Sequence, residues 1–220
     1  MPDRVVELGS VAPELAEELP GLGLAWMRVA ARAGRSPAPL RQRMNELASR
    51  ITGARVVQAR QDSVPWAYRV LWRRLGLDPD HDRTPVEALM VERLRHGGLA
   101  SHGMPGDAAV TATLETGVPV AVFDADRVGD GIGLRPARAG ESLGADVEIP
   151  LRVGEVIYAD EQRPLARLTG ELASTCAVSG DTTAMLLCAL SAAGVPDMAL
   201  EEALWIAADL LEAAAGPSDR

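Results

Sequence analysis

Two helices joined by an acidic turn are predicted by PWAYRVLWRRLGLDP, residues 65–79, and by RTPVEAL, residues 83–89. Apolar residues recur at helical spacing in the first stretch, and Gly76 is a typical C-terminal stop. We therefore expect a helix over residues 64–75 that carries on one stripe Trp66, Val70 and Arg73.

The second helix begins with the pattern of a capping box. The Thr84 hydroxyl can accept a hydrogen bond from the amide of Glu87, and the Glu87 side chain can reach back to the first turn. Pro85 suits the first helical position because its fixed φ is helical and its missing N–H is not needed there. We expect this helix to run to about Arg95 and to end at Gly97.

The remaining segments predict a chain of mixed helices and strands. Further helices are expected over residues 15–19, 37–50, 107–116 and 198–214. Strands are expected over residues 21–29, 55–59, 118–123, 131–135, 146–149, 155–159 and 164–168, and residues 182–190 fit either element. Helices followed by strands and a closing helix indicate an α+β fold rather than regular βαβ units.

The composition is that of a folded globular protein. The chain has 220 residues, of which 47% are hydrophobic and 24% charged, so it can bury a sizeable core. No run approaches the ~20 apolar residues of a membrane span, and residues 1–9 lack the apolar part of a signal peptide. We expect a cytoplasmic single domain over residues 1–220, with an N-terminal α/β extension at 1–59 and a closing helix at 196–215.

Charge is distributed very unevenly along the chain. The net charge is -9, and all 22 basic residues are Arg. Between residues 28 and 74, however, eleven Arg face only Glu46 and Asp62, a local net charge of +9. This asymmetry favours an anionic partner for the basic segment, since the guanidinium group binds phosphate oxygens in pairs. The alternative is that these Arg side chains pair with the acidic remainder.

Common catalytic and metal motifs are absent from the sequence. His81, His96 and His102 lack the spacing of metal ligands, and we expect no metal or cofactor. Asp124 and Asp126 could act as a carboxylate pair, although a turn that uses them to hold backbone amides is favoured. Two cysteines, twelve residues apart at Cys176 and Cys188, are expected to be buried thiols.

The two opening helices and three later motifs resemble one known family. The later motifs are Gly117–Pro119 with Phe123, Asp124 and Asp126; the pattern Gly131-Ile-x-Leu-Arg-x-Ala-x-x-Gly-Glu141; and Gly-Glu-Val-Ile-Tyr-Ala-Asp at residues 154–160. Together they resemble a free-standing B3/B4 domain, the editing domain that the β subunit of bacterial phenylalanyl-tRNA synthetase carries. The likeness covers roughly residues 60–187, which we take as the core of the domain.

The resemblance implies both a fold and an activity. The fold would be a three-layer α+β domain, a β-sandwich of unusual topology flanked by helices. In the synthetase, this domain hydrolyses tRNA mischarged with tyrosine, and stand-alone relatives are similar to trans-editing factors. The implied partner is therefore tRNA or aminoacyl-tRNA.

Departures from the family pattern change the expected substrate. The family's Asp-x-Thr-Asn stretch retains only Asp107, with Ala109 and Val110 in place of Thr and Asn, and Ala121 stands where the family has His. Together with Thr175, these residues would line an apolar substrate pocket. Such a pocket favours a small or aliphatic aminoacyl group over tyrosine.

The catalytic candidates follow from the same resemblance, and the candidates for tRNA binding follow from the charge pattern. His102 lies near the pocket segment and carries an imidazole, a common general base, and Glu171 lies about three positions from the expected glutamate, so these two are the catalytic candidates. Water held by backbone groups could also hydrolyse the activated ester. Cys176 has no evident His to activate it. The candidates for tRNA phosphate contacts are Arg35, Arg41, Arg43, Arg73 and Arg74.

Three functions remain open from sequence. The chain could be a trans-editing aminoacyl-tRNA deacylase, a catalytically silent tRNA- or RNA-binding module, or a scaffold recruited to bind a small molecule or protein. The closing helix, with Leu200, Leu204 and Leu211 on one side, could pack on its own core or on a second copy in a homodimer, and the first is favoured.

Overall fold

The computed structural model describes residues 4–144 and 149–215. Its helices are α1 (Pro13–Glu18), α2 (Ala38–Arg50), α3 (Gly53–Ala59), α4 (Ser63–Arg74), α5 (Pro85–His96), α6 (Gly106–Thr116) and α7 (Asp197–Ala215). Its strands are β1 (Glu7–Leu8), β2 (Ser10–Val11), β3 (Gly23–Ala30), β4 (Val120–Asp124), β5 (Gly133–Pro136), β6 (Ser142–Leu143), β7 (Ile149–Pro150), β8 (Val156–Ala159), β9 (Pro164–Arg167) and β10 (Ala184–Ser191). The strand predicted over residues 146–149 lies mostly outside the described residues.

Two four-stranded sheets flanked by helices confirm the α+β class. The first sheet has the order β1-β3-β10-β4 and is antiparallel throughout, and β3 and β10 pair over eight residues each. The second has the order β2-β5-β8-β9, in which only β2 and β5 run parallel. Residues 182–190, which fit either a helix or a strand by sequence, lie mostly in strand β10. Its six inner residues are all buried, so its sequence is a continuous apolar run without alternation.

The strand predicted over residues 55–59 is wrong, because this segment forms helix α3. The Thr52 hydroxyl caps the helix by accepting a hydrogen bond from the Arg55 amide at 3.2 Å. Helical geometry also places Val56 and Ala59 on one side, where both are buried. They belong to a small second core with Ile51, Val86 and Met90. The β-branched pair Val56-Val57 favoured a strand, and this local preference is outweighed by the cap and the burial.

The stripe predicted on α4 is the outer face of that helix. Trp66 is 48% exposed and the Arg73 guanidinium lies 5.4 Å from the centre of its ring. The buried side is instead formed by Tyr68, Leu71 and Trp72. These three residues bury more area, and the Tyr68 hydroxyl donates a hydrogen bond to the Leu190 carbonyl of β10 at 2.5 Å.

The capping box predicted at α5 is also wrong, although the helix begins where expected. Thr84 stands at the N-cap and Pro85 in the first turn, but the Thr84 hydroxyl makes no capping hydrogen bond. Glu87 does not reach back, because its side chain is fully buried and binds Arg69 of α4. Leaving the buried Arg69 guanidinium without a counter-charge costs more free energy than leaving one backbone amide at the helix N-terminus without a side-chain cap.

An ion cluster around Arg69 joins α3, α4, the turn after α4 and α5. Arg69 is only 4% exposed, and its Nη1 donates to both carboxylate oxygens of Glu87 at 2.7 and 2.9 Å. Its Nη2 donates to Asp80 at 2.8 Å, and Arg60 at the end of α3 reaches Glu87 at 3.3 Å. The cluster therefore links α4 to α5 by buried charged side chains.

Helix α7 packs against its own chain. Leu200, Leu204 and Leu211 are buried together with Ala203 and Ala207, and they belong to the main core, which extends from Leu15 to Leu211. The apolar side of α7 is thus occupied, so the homodimer alternative finds no support here. The division at residues 59 and 187 stays a prediction. Among the described residues, no helix is long and apolar enough to cross a membrane.

The Arg69 cluster predicts a large loss of stability when one partner is removed. Glu87→Gln leaves a buried guanidinium with only Asp80 opposite it, so the free energy of unfolding should fall by about 3 kcal/mol. Urea denaturation measures this loss. The control Arg43→Gln, in an exposed pair with Glu115, should cost less than about 1 kcal/mol. Equal costs for the two variants would show that Glu87 is not essential to the α4–α5 packing.

Candidate active site

The loop before α6 is held against the loop after β3. Gly34 and Met104 exchange two backbone hydrogen bonds, at 3.3 and 2.8 Å. Gly103 has φ +74°, and a Cβ there would lie 2.6 Å from the Gly34 carbonyl oxygen, so only glycine fits. This contact places the segment of Arg35 beside the segment of His102, two predicted site residues that are far apart in sequence.

Asp107 holds this loop in place. Its carboxylate is buried, and it accepts hydrogen bonds from the Ser101 hydroxyl at 2.5 Å and from the His102 amide at 2.8 Å. Both oxygens are therefore used in positioning the loop that carries His102, whose own side chain is exposed. A direct contact of Asp107 with substrate stays a prediction.

The three residues predicted to line an apolar pocket are each half-buried. Ala109 and Val110 lie in the first turns of α6, and Ala121 lies on β4, at the edge of the first sheet. The register places Ala121 opposite Cys188 of β10, which is fully buried. At these three positions the chain therefore presents methyl groups rather than titratable side chains.

A separate groove of about 960 Å³ lies between α1, the α4–α5 connection and the strands β8 and β9. Glu171 and Arg74 line it, whereas His102, Asp107, Ala109, Val110, Ala121 and Thr175 do not. The two predicted catalytic residues, His102 and Glu171, therefore do not share this cavity. Glu171 is exposed and forms an ion pair with Arg167, which also contacts Glu155 at 2.9 Å.

Sequence reasoning missed other arginines of this groove. Arg83, Arg95 and Arg152 line it with Arg74, and none of these four forms an ion pair among the described residues. The Nε of Arg83 is buried and has no hydrogen-bond partner within the described ranges. The groove also holds five acidic side chains, equal in number to its five Arg: Glu18, Asp82, Glu92, Glu155 and Glu171. No local pattern could have indicated these arginines, because the groove is assembled from four distant segments.

The basic segment is divided between paired and unpaired arginines. Five of its eleven Arg form ion pairs: Arg28 with Asp126, Arg43 with Glu115, Arg55 with Asp62, and Arg60 and Arg69 with the Glu87 cluster. The other six form none in the part of the chain that the structure describes, namely Arg32, Arg35, Arg41, Arg50, Arg73 and Arg74. Of the predicted phosphate contacts, only Arg43 is already occupied by a carboxylate.

The carboxylate pair at the end of β4 forms a turn. Asp124 accepts hydrogen bonds from the Thr182 hydroxyl at 2.6 Å and from the Asp126 amide at 3.0 Å, while Asp126 pairs with Arg28. The turn interpretation is therefore confirmed. Among the described residues, no three His, Cys, Asp or Glu side chains are grouped as metal ligands.

Both cysteines are buried thiols, as expected. Burial raises the pKa of the Cys176 thiol to about 11, and its Sγ contacts the carbonyl oxygens of Leu165 and Ala173. Burial raises the pKa of the Cys188 thiol still further. Thr175 is half-buried in the short 3₁₀ turn Ser174–Cys176.

Comparison with known proteins identifies related sequences. The family model described as B3/4 domain matches residues 67–215. Similar proteins include the phenylalanine–tRNA ligase beta subunits of Methylococcus capsulatus, 38% identical over 108 residues, and of Nitrosococcus oceani, 40% identical over 93 residues. These matches cover 48% and 41% of this chain, and only 14% and 11% of the relatives.

The buried thiols make a prediction about chemical labelling. At pH 8, a thiol with a pKa of about 11 is ionised in about one molecule in a thousand, so a neutral alkylating reagent should label neither cysteine in the native protein. Both should be labelled after denaturation, as mass spectrometry can count. Rapid native labelling of Cys176 would contradict the burial described here.

Proposed function

Because the chain belongs to the B3/4 domain family, we propose that it binds aminoacyl-tRNA and hydrolyses the ester of a mischarged tRNA in trans. The observation that carries the choice of substrate is the half-buried apolar set Ala109, Val110 and Ala121. Methyl groups bury an aliphatic side chain favourably, but they leave a tyrosine hydroxyl without a partner. We therefore propose a small or aliphatic aminoacyl group as the substrate.

The proposed chemistry requires little from side chains. A water oxygen attacks the ester carbonyl, the bond to the ribose oxygen breaks, and that oxygen takes up a proton. The ester is already activated, so positioning and backbone donors supply much of the rate. The vicinal ribose hydroxyl can assist, and His102 is the side chain we propose as base. The His102 amide donates a hydrogen bond to Asp107, and this bond fixes the backbone position from which the His102 side chain extends.

Glu171 is the weaker of the two catalytic candidates. It would have to leave Arg167 to reach a substrate, and it lines the groove rather than the α6–β4 region. The groove holds as many acidic side chains as arginines, so of its residues only Arg74 is proposed as a contact to a tRNA phosphate. Arg35, next to Gly34, would hold a phosphate nearer to His102, and Arg41, in the first turn of α2, is proposed to hold another.

A deacylation panel tests the proposed activity and substrate. Purified protein should hydrolyse a tRNA mischarged with a small or aliphatic residue faster than one carrying tyrosine. Ala121→Leu should reduce that turnover at least about tenfold by filling the pocket. The control Val122→Leu should leave it unchanged, since neighbouring strand residues point to opposite faces. His102→Ala should lower turnover, and Glu171→Ala should have the smaller effect. Equal turnover in both leucine variants would reject the proposed pocket.

Salt titration of tRNA binding tests the role of the unpaired arginines. Arg35→Gln and Arg41→Gln should each weaken binding and reduce the slope of log affinity against log salt by about 0.7–0.9. Arg55→Gln, which removes a cation already paired with Asp62, is the matched control and should change little. An unchanged slope in the first two variants would reject these phosphate contacts.

A catalytically silent tRNA-binding module is the second candidate. It is favoured by Ala121, which presents a methyl group where the resemblance implies His and whose register partner is the fully buried Cys188. Bound tRNA without turnover across the panel would select this function. Neither binding nor turnover would select the recruited scaffold instead.

A further inference from the structure

Two tryptophans are exposed, and each has an arginine over its ring. Trp66 on α4 is 48% exposed and Trp205 on α7 is 37% exposed, whereas Trp72 is fully buried. The guanidinium carbon of Arg73 lies 5.4 Å from the Trp66 ring centre, and that of Arg4 lies 5.2 Å from the Trp205 ring centre. The two pairs are thus alike in geometry.

The two arginines differ in how firmly they are held. Arg4 has a side chain only 7% exposed, and it donates to Asp209 at 2.6 Å and to Glu212 at 2.8 Å. Arg73 is exposed and forms no ion pair with any described residue. Arg73 can therefore leave the Trp66 ring by giving up one solvent-exposed contact, while Arg4 would have to break two ion pairs.

The charge around the two rings also differs. Trp66 lies in the basic segment of residues 28–74, and Arg73 and Arg74 follow it at the end of the same helix. Trp205 lies on a helix that carries Glu201, Glu202, Asp209 and Glu212. A polyanion is attracted to the first ring and repelled from the second.

Packing does not account for the tryptophan at position 66. The same helix buries Tyr68, Leu71 and Trp72 in the main core. Trp66 is absent from both buried clusters and their packed neighbours. An exposed indole next to unpaired arginines is the arrangement on which unpaired bases stack in RNA-binding proteins.

We propose that Trp66 and Arg73 form a stacking platform for an unpaired nucleobase of a bound RNA. The base lies on the indole, the Arg73 guanidinium moves to the outer face of the base or to its phosphate, and Arg74 meets the next phosphate. The choice of tRNA as the RNA rests on the proposed function. The platform itself requires only a single-stranded segment.

Binding of a single-stranded RNA hexanucleotide and of a blunt RNA duplex, each fluorescently labelled, tests the platform. Trp66→Ala should weaken hexanucleotide binding about tenfold, and Arg73→Gln should weaken it less. Trp66→Phe should retain most of the affinity because it keeps an aromatic face. Trp205→Ala is the matched control and should bind like the unaltered protein. Duplex binding, which offers no free base, should be insensitive to Trp66→Ala.

The outcomes separate the platform from the deacylase. Equal hexanucleotide binding by the unaltered protein and by Trp66→Ala would overturn the platform and point to a protein partner for this face. Hexanucleotide binding that depends on Trp66, without deacylation of any tRNA, would support the platform and remove the proposed enzyme. Deacylation whose KM is unchanged in Trp66→Ala would support the proposed enzyme and overturn the platform. If Trp66→Ala unfolds, the other two variants test the platform. Weaker hexanucleotide binding by Arg73→Gln than by Trp66→Phe would support it, and unchanged binding by Arg73→Gln would overturn it.

Discussion

A buried ion pair between Arg69 and Glu87 joins the helices α4 and α5, and much of the remaining structure is arranged around it. Two charges inside a protein are stable only when their geometry is good, and here both carboxylate oxygens lie within 2.9 Å of one guanidinium nitrogen. Asp80 and Arg60 complete the cluster. Its consequence is a fixed α4, whose inner face carries Tyr68 onto β10 and whose outer face presents Trp66 and Arg73 to solvent.

The candidate site illustrates how a family scaffold can retain its frame while its chemistry changes. Asp107 uses its whole carboxylate to hold the His102 loop, and Gly103 allows that loop to approach Gly34. The side chains that would face a substrate, by contrast, are reduced to Ala and Val. Catalysis by such a site would depend on positioning and on the substrate's own reactivity rather than on a strong base.

The net charge of a segment indicates its free cations only after the ion pairs of its arginines are taken into account. A local net charge of +9 suggests a broad basic surface, but five of the eleven arginines are neutralised by ion pairs. Arg28 and Asp126, for example, lie 98 positions apart in sequence. The groove arginines outside the basic segment, Arg83, Arg95 and Arg152, share their groove with five acidic side chains.

Local sequence determined most helix limits, the α+β class and the family, because periodicity, glycine stops at Gly97 and Gly117, and turn residues act over a few positions. Tertiary structure decided the features that depend on distant partners. Glu87 has the local pattern of a cap yet serves Arg69, residues 55–59 become helix because Val56 and Ala59 find a core, and β10 is a strand because it lies between β3 and β4. Tertiary structure also decided which arginines lack an ion pair among the described residues and that Trp66 is exposed. Burial and ion pairing depend on residues that are distant in sequence.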